Sequence, residues 1–212
     1  MRKVRSNKIA KYSFLASAAI GMLNSCKDKV EDNDPNIEET DIDPDISLTV
    51  TSNADASISL DLNADNIADV SVSLYNSNYI YNGDTTDVNI GSLDGLNGAQ
   101  ILSQVEELDV NGTYIDTLVV STRLSQGNTV DSSQETWVDM VYLAFSGIYY
   151  GNYASGGQFL GQDKYVGLSI QVAGNTHYAW MRLSMSEDGS NLVIKEYAYH
   201  TNPNTPIEAG AK

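Results

Sequence analysis

YVGLSIQVAGNTHYAWMRLSMSEDGSNLVIKEYAYH, residues 165–200, decides the fold. Val166, Leu168, Ile170 and Val172 alternate with Gly167, Ser169 and Gln171, the period of two that marks a strand with one buried face. Gly174-Asn175 and Asp188-Gly189 interrupt the pattern with residues that tolerate the positive φ of tight hairpin turns. The stretch therefore predicts a three-strand antiparallel meander over 165–172, 176–185 and 192–199. In its middle strand Tyr178, Trp180 and Arg182 share one face, and Met181, Leu183 and Met185 share the other. Both faces carry bulk, so one is expected to be core and the other partly covered.

The same period recurs upstream. Ile46, Leu48 and Val50 alternate with Ser47, Thr49 and Thr51; Ile58, Leu60 and Leu62 repeat it, and so do Val70, Val72 and Leu74. Asn111-Gly112 predicts a further hairpin between 105–110 and 113–120. No apolar stripe of period 3.6 is sustained; the best candidate, Leu96–Leu108, is short and contains Gly98, so at most one brief helix is expected there. Residues 46–212 are thus expected to form one all-β domain, most simply an antiparallel two-sheet sandwich, with a barrel as the alternative.

The N-terminal end has a different character. Five bases (Arg2, Lys3, Arg5, Lys8, Lys11) precede an apolar run from Phe14 to Leu23, and no acid occurs before Cys26, the single cysteine. Basic, then apolar, then a processing site is the order of a signal peptide over residues 1–25, and the run is too short to span a bilayer. Leu23-Asn24-Ser25-Cys26 resembles the lipobox of bacterial lipoproteins, which makes Cys26 the expected lipid anchor. The acidic stretch after it resembles the export signal of Bacteroidota-type lipoproteins that reach the outer face of the outer membrane. Residues 26–45, rich in acids and poor in apolar side chains, are expected to be a disordered tether. A lone cysteine also excludes an internal disulfide and any Cys-based zinc cluster.

Charge narrows the partners. Removing the leader's five bases from the 12 Lys and Arg leaves seven against 28 Asp and Glu, a formal charge of −21. Phosphate binding depends on clustered cations, so no nucleic-acid partner is expected. Multivalent cations come first among candidate ligands instead.

Asp61-Leu62-Asn63-Ala64-Asp65-Asn66-Ile67-Ala68-Asp69 is the sharpest chemical motif. Oxygen-bearing side chains at its first, third, fifth and ninth positions suit a loop wrapping a hard cation. Asp61, Asn63, Asp65 and Asp69, with the Ile67 carbonyl, are the candidate ligands of a structural Ca²⁺. Val72 stands where an EF-hand would need Glu, and the nine-residue spacing is similar to the calcium loops of integrin-type FG-GAP repeats. Here Asn66 replaces the usual Gly and only one copy is present. The competing reading is an acidic turn whose side chains cap Asx turns and face water.

His177–Leu183, Tyr197–His200 and Thr205–Gly210 resemble the Tyr-Gly-Trp, Ala-Tyr-Glu and Thr-Pro-Ile-x-Ala-Gly signatures of an uncharacterised family of secreted and surface β-domains. Ala179 and His200 depart from the pattern. The resemblance implies an extracellular all-β domain and transfers no site.

Tyr149, Tyr150 and Tyr153 lie in a Gly-rich stretch and form the candidate ligand-binding cluster, since exposed tyrosines stack on sugar rings or dock on proteins. The competing reading folds them back onto the end of the domain. No nucleophile elbow, zincin helix or phosphate-cradling loop is present, and no catalytic residue is assigned. The expected function is a surface-anchored, non-catalytic domain binding a glycan or surface protein; the alternatives are a glycan-degrading enzyme and a structural component of a surface assembly.

Overall fold

The computed structural model describes residues 34–51, 55–81, 83–110, 113–134, 136–149 and 151–212; Cys26 and the leader lie outside them. Among the described residues the chain is all-β and contains no helix. Its strands are β1 (Ile37–Thr49), β2 (Ala56–Leu60), β3 (Val70–Tyr81), β4 (Asp84–Gly95), β5 (Gln100–Val110), β6 (Thr113–Ser121), β7 (Arg123–Leu124), β8 (Thr129–Val130), β9 (Trp137–Val138), β10 (Met140–Tyr149), β11 (Asn152–Gly157), β12 (Asp163–Val172), β13 (Asn175–Met185), β14 (Asn191–His200) and β15 (Ile207–Glu208).

The expected meander is β12–β13–β14, fully antiparallel, with Val172 opposite Asn175 and Met185 opposite Leu192. The first turn sits one residue earlier than Gly174-Asn175 suggests. Ala173 (φ 51°) and Gly174 (φ 80°) are its two left-handed residues, and Asn175 already belongs to the next strand.

The two-sheet sandwich gives way to a single, nearly closed sheet. Its order is β1-β14-β13-β12-β5-β6-β10-β4-β3-β2, and β1 and β2, the two ends of that path, approach each other within 8 Å between Cα atoms. Strand β5 makes the continuity: it pairs β12 through Gln100 and Ile101, then β6 from Ser103 onward. Pairing is antiparallel apart from a single parallel contact between β6 and β10 and the isolated Leu160–Met185 bridge. One interior collects the buried face of every long strand except β6, including Val72, Leu93, Ile101, Leu143, Leu168, Met181 and Ile194, each fully buried.

The helix considered for Leu96–Leu108 is corrected to β5. Ile101 faces the main core while Leu102 faces a second cluster, so both faces of the strand are covered and the alternation is blurred. That second cluster accounts for the bulk on both faces of β13: Tyr178 and Trp180 pack with Leu124 of β7, Val130 and Ile207 of the β8–β15 pair, and Ala209 just beyond it. The Thr-Pro-Ile-x-Ala-Gly segment is therefore a lid of packing, its Ile207 and Ala209 closing over Trp180.

The tether also needs correction. Residues 37–45 are strand, the first part of β1, paired to β14 from Ile37–His200 through Asp41–Glu196 and again from Ile46–Ile194 to Thr49–Asn191. The register shifts around Pro44, which has no N–H to give the ladder. Backbone pairing and specific polar contacts hold this acidic stretch: Tyr199 Oη donates to Glu38 (2.8 Å), Lys212 pairs with Glu39, and Thr201 N and Oγ1 donate to the Asn36 carbonyl.

Candidate functional site

The Asp61–Asp69 loop joins β2 to β3 at one end of the sheet. Its backbone is set by its own side chains. Asp61 accepts the N–H groups of Asn63 (3.3 Å) and Asp65 (3.2 Å) on Oδ1 and of Asn66 (2.6 Å) on Oδ2; Asn63 Oδ1 accepts from Asp65 N, and Asp65 Oδ1 from Ile67 N. Ala64 and Asn66 carry the left-handed φ values (59° and 69°) that such a wrap needs. Asn66 thus takes the conformation for which glycine is usual. Asp69 is 4% exposed and turns inward to accept the Leu62 N–H at 2.8 Å. Burial first, with the charges of Asp61 and Asp65 adding, pushes its carboxyl up to about 6 against the lowering effect of the Leu62 and Asn63 amides.

Five calcium-ligand candidates therefore share one loop, but they do not yet form a closed coordination shell. Among the described residues no group of three or more His, Cys, Asp or Glu is arranged to hold a metal ion. The Ile67 side chain stands 52% exposed. The donor chemistry nonetheless suits a hard cation, because a carboxylate oxygen accepting one amide keeps a further lone pair.

The tyrosine cluster is only partly described. Tyr150 and the Tyr149 side chain lie outside the described residues. Tyr153, on β11, is 63% exposed, and its hydroxyl lies 2.9 Å from Ser146 Oγ on β10. The residue is mostly exposed while its hydroxyl tip rests on the buried Ser146 of the neighbouring strand.

Around Tyr153 the register assembles residues that the sequence reading did not single out. Directly opposed residues on paired strands point to the same face. Leu74, Gly91, Ala144 and Gly157 form one such rung across β3, β4, β10 and β11, and it belongs to the core: a Cβ on Gly91 would meet Met185 and Leu192. The next rung outward is Asn76, Asn89, Ser146 and Ser155, and the one beyond is Asn78, Asp87, Ile148 and Tyr153. Asn76 Nδ2 donates to Asp87 Oδ1 (2.8 Å) and Asn89 Oδ1 (3.0 Å), and Asn89 Nδ2 donates to the Asp188 carbonyl (3.3 Å). The signal was present on single strands, where Val70, Val72 and Leu74 give way at the same parity to Asn76 and Asn78. Its meaning depends on pairing that no sequence window contains.

Elsewhere the charged groups pair internally. Arg182 donates from Nε and Nη2 to Asp163 (2.8 and 3.0 Å) and from Nη1 to Glu196 (3.1 Å), and lies over the Tyr165 ring at 5.8 Å. Lys195 reaches Asp163 (2.7 Å), and Lys212 reaches Glu196 (3.1 Å). The two histidines lie on the paired strands β13 and β14: His177 Nδ1 is 2.8 Å from the His200 carbonyl, and both rings are buried. His200 Nδ1 accepts from Asn202 N, leaving Nε2 to face Asp34 at 3.7 Å. These contacts give both rings a place in holding the C-terminal strand.

No family model, curated protein or solved structure matches the chain.

Proposed function

We propose that the chain is a surface lipoprotein of the outer membrane, anchored at Cys26, whose β-domain binds a glycan or surface protein without catalysis and carries one structural calcium. The observation that supports binding is Tyr153. A large aromatic ring left mostly in water, with its hydroxyl fixed by a buried serine, offers a rigid contact at low entropic cost. The calcium rests on Asp69, a buried carboxylate beside two others with no basic partner among its contacts; Asp61, Asn63, Asp65, Ile67 and Asp69 would hold the ion, which would supply the missing positive charge and clasp β2 to β3.

The binding reading is tested by affinity electrophoresis of the chain from residue 27 onward against soluble polysaccharides, with reducing ends assayed in parallel. Saturable retardation without product supports it; release of reducing ends overturns the non-catalytic part. The anchor is tested with Cys26→Ala, which should release the protein from membranes. Calcium is read from the thermal midpoint with the ion and with chelator.

A further inference from the structure

We propose that the two polar rungs across β3, β4, β10 and β11 form a binding face for a neutral glycan chain, with Tyr153 as its stacking platform. The proposal rests on the binding reading above and gives it a site and a ligand class.

The four strands are in continuous register, so the face is a lattice and not a chance cluster. Neighbouring strands lie about 4.8 Å apart. Asn76 and Ser155 flank the inner rung, while Asn89 and the 3% exposed Ser146 lie between them beneath Gly189 and brace the face from below; the groups open to a ligand are Ser155 with Asn78, Asp87, Ile148 and Tyr153. Asp87 and Tyr153 stand on the next rung, one two-residue step along the strands.

Chemistry selects the ligand. Vicinal hydroxyls of a sugar donate and accept at once, and they pair best with planar side chains that do the same. Asn76, Asn89 and Asp87 already orient one another through the 2.8 and 3.0 Å bonds. A carboxylate has about four lone-pair sites, so Asp87 keeps capacity for a ligand while the geometry of the triad is fixed. The apolar face of a pyranose requires a flat partner, which Tyr153 supplies, with the 36% exposed Ile148 directly opposite it on β10. Charge excludes the acidic polysaccharides: Asp87 lies in the face, Asp55 accepts the Asn76 N–H at its edge, and Asp188 adjoins Asn89. Uronate or sulfate groups would be repelled there, whereas a neutral polyol would not.

The rim also explains why this end of the sheet is polar at all. The column that reads Val70, Val72, Leu74 within the core continues as Asn76 and Asn78 at unchanged parity. Beyond the core β3 and β4 remain paired for another seven rungs, to Tyr81–Asp84; the other face of this extension packs Val88, Phe145 and Ala154, which holds the polar face in place.

Isothermal titration and affinity electrophoresis would compare xyloglucan, galactomannan and laminarin with polygalacturonate and chondroitin sulfate. Tyr153→Ala and Ser155→Trp, one removing the platform and one filling an exposed position, would be run beside the unaltered chain, with thermal midpoints confirming folding. The expected result is saturable, salt-insensitive binding of at least one neutral polysaccharide, weakened about tenfold or more by each variant. Hydrogen exchange on the unaltered chain supplies a readout independent of folding in the variants: the neutral ligand should protect residues 76–89 and 146–155. Neutral-glycan binding that survives both variants and protects other residues overturns this face and leaves the binding reading standing. Binding only to the acidic polysaccharides overturns the ligand class. Binding to no polysaccharide overturns the proposal, and capture of a surface protein in its place would preserve the broader reading alone.

Discussion

Asp69 and Glu196 are both buried carboxylates, and their surroundings drive them in opposite directions. Asp69 has two acids beside it and only the Leu62 and Asn63 amides to offset them, and burial pushes its pKa up to about 6. Burial would raise Glu196 as well, but Lys212 and Arg182 reach it, and it is held below the ordinary glutamate range. Burial sets the problem and the neighbours decide its sign. Arg182, Lys195 and Lys212 gather around Asp163 and Glu196, whereas Asp69 has Asp61 and Asp65 beside it.

That contrast can be broken in several ways. The largest expected effect belongs to the uncompensated loop: calcium at a hundred times its dissociation constant should stabilise the fold by about 2.7 kcal/mol in denaturant titration. Asp69→Asn should abolish the calcium effect while raising stability in chelator by about 1 kcal/mol, since a neutral amide avoids burying the charge. Equal response to calcium in Asp69→Asn would show that the loop is only an acidic turn.

Next comes Arg182→Met, which should cost about 2 kcal/mol. A fully buried pair broken on one side costs ~3–5 kcal/mol, but Arg182 and Asp163 are each about a third exposed and Lys212 still faces Glu196. A cost near zero would mean that the network is ornament.

The acid limb follows from the same groups. Burial pulls Asp163 and Glu196 upward, but their hydrogen bonds to Arg182 with Lys195 and to Lys212 with Arg182 prevail, so both sit below their unfolded values. Their contribution is therefore present above about pH 4 and lost as pH falls through the lowered folded values. Stability measured downward from pH 5 should fall, and Arg182→Met should flatten that slope. The smallest effect is Lys195→Ala, under about 1 kcal/mol, because its partner Asp163 is exposed to solvent and salt.

How much of this was legible depended on whether the information was local. The meander was, because Val166 to Val172 alternate cleanly and Gly174 marks its turn. The wrap of Asp61 to Asp69 was too, since Asx contacts span only a few residues. The extent of β1 was not: Ile37 and Ile42 are sparse among acids, and the strand is held by β14, some 160 residues away in sequence. Closure of the sheet was equally hidden, because β5 is covered on both sides and its Ile101-Leu102 pair reads as neither period. The Asn76–Ser155 face needed three registers at once, a kind of information that composition and spacing do not carry.

The β1–β14 ladder has a mechanical consequence. Its far end, Ile37–His200, is where the backbone enters the sheet beside Lys212, while its near end, Thr49–Asn191, adjoins the 186–190 turn that touches Asn89 and Ser146. With 13 residues at about 3.3 Å each, the two ends stand about 40 Å apart. A tug between the residue 34 end and a partner gripped at Tyr153 would run along β1, loading its hydrogen bonds side by side in shear instead of unzipping them singly. Stretching between these two points should give one abrupt rupture, and a stepwise peel would show that the load takes another route.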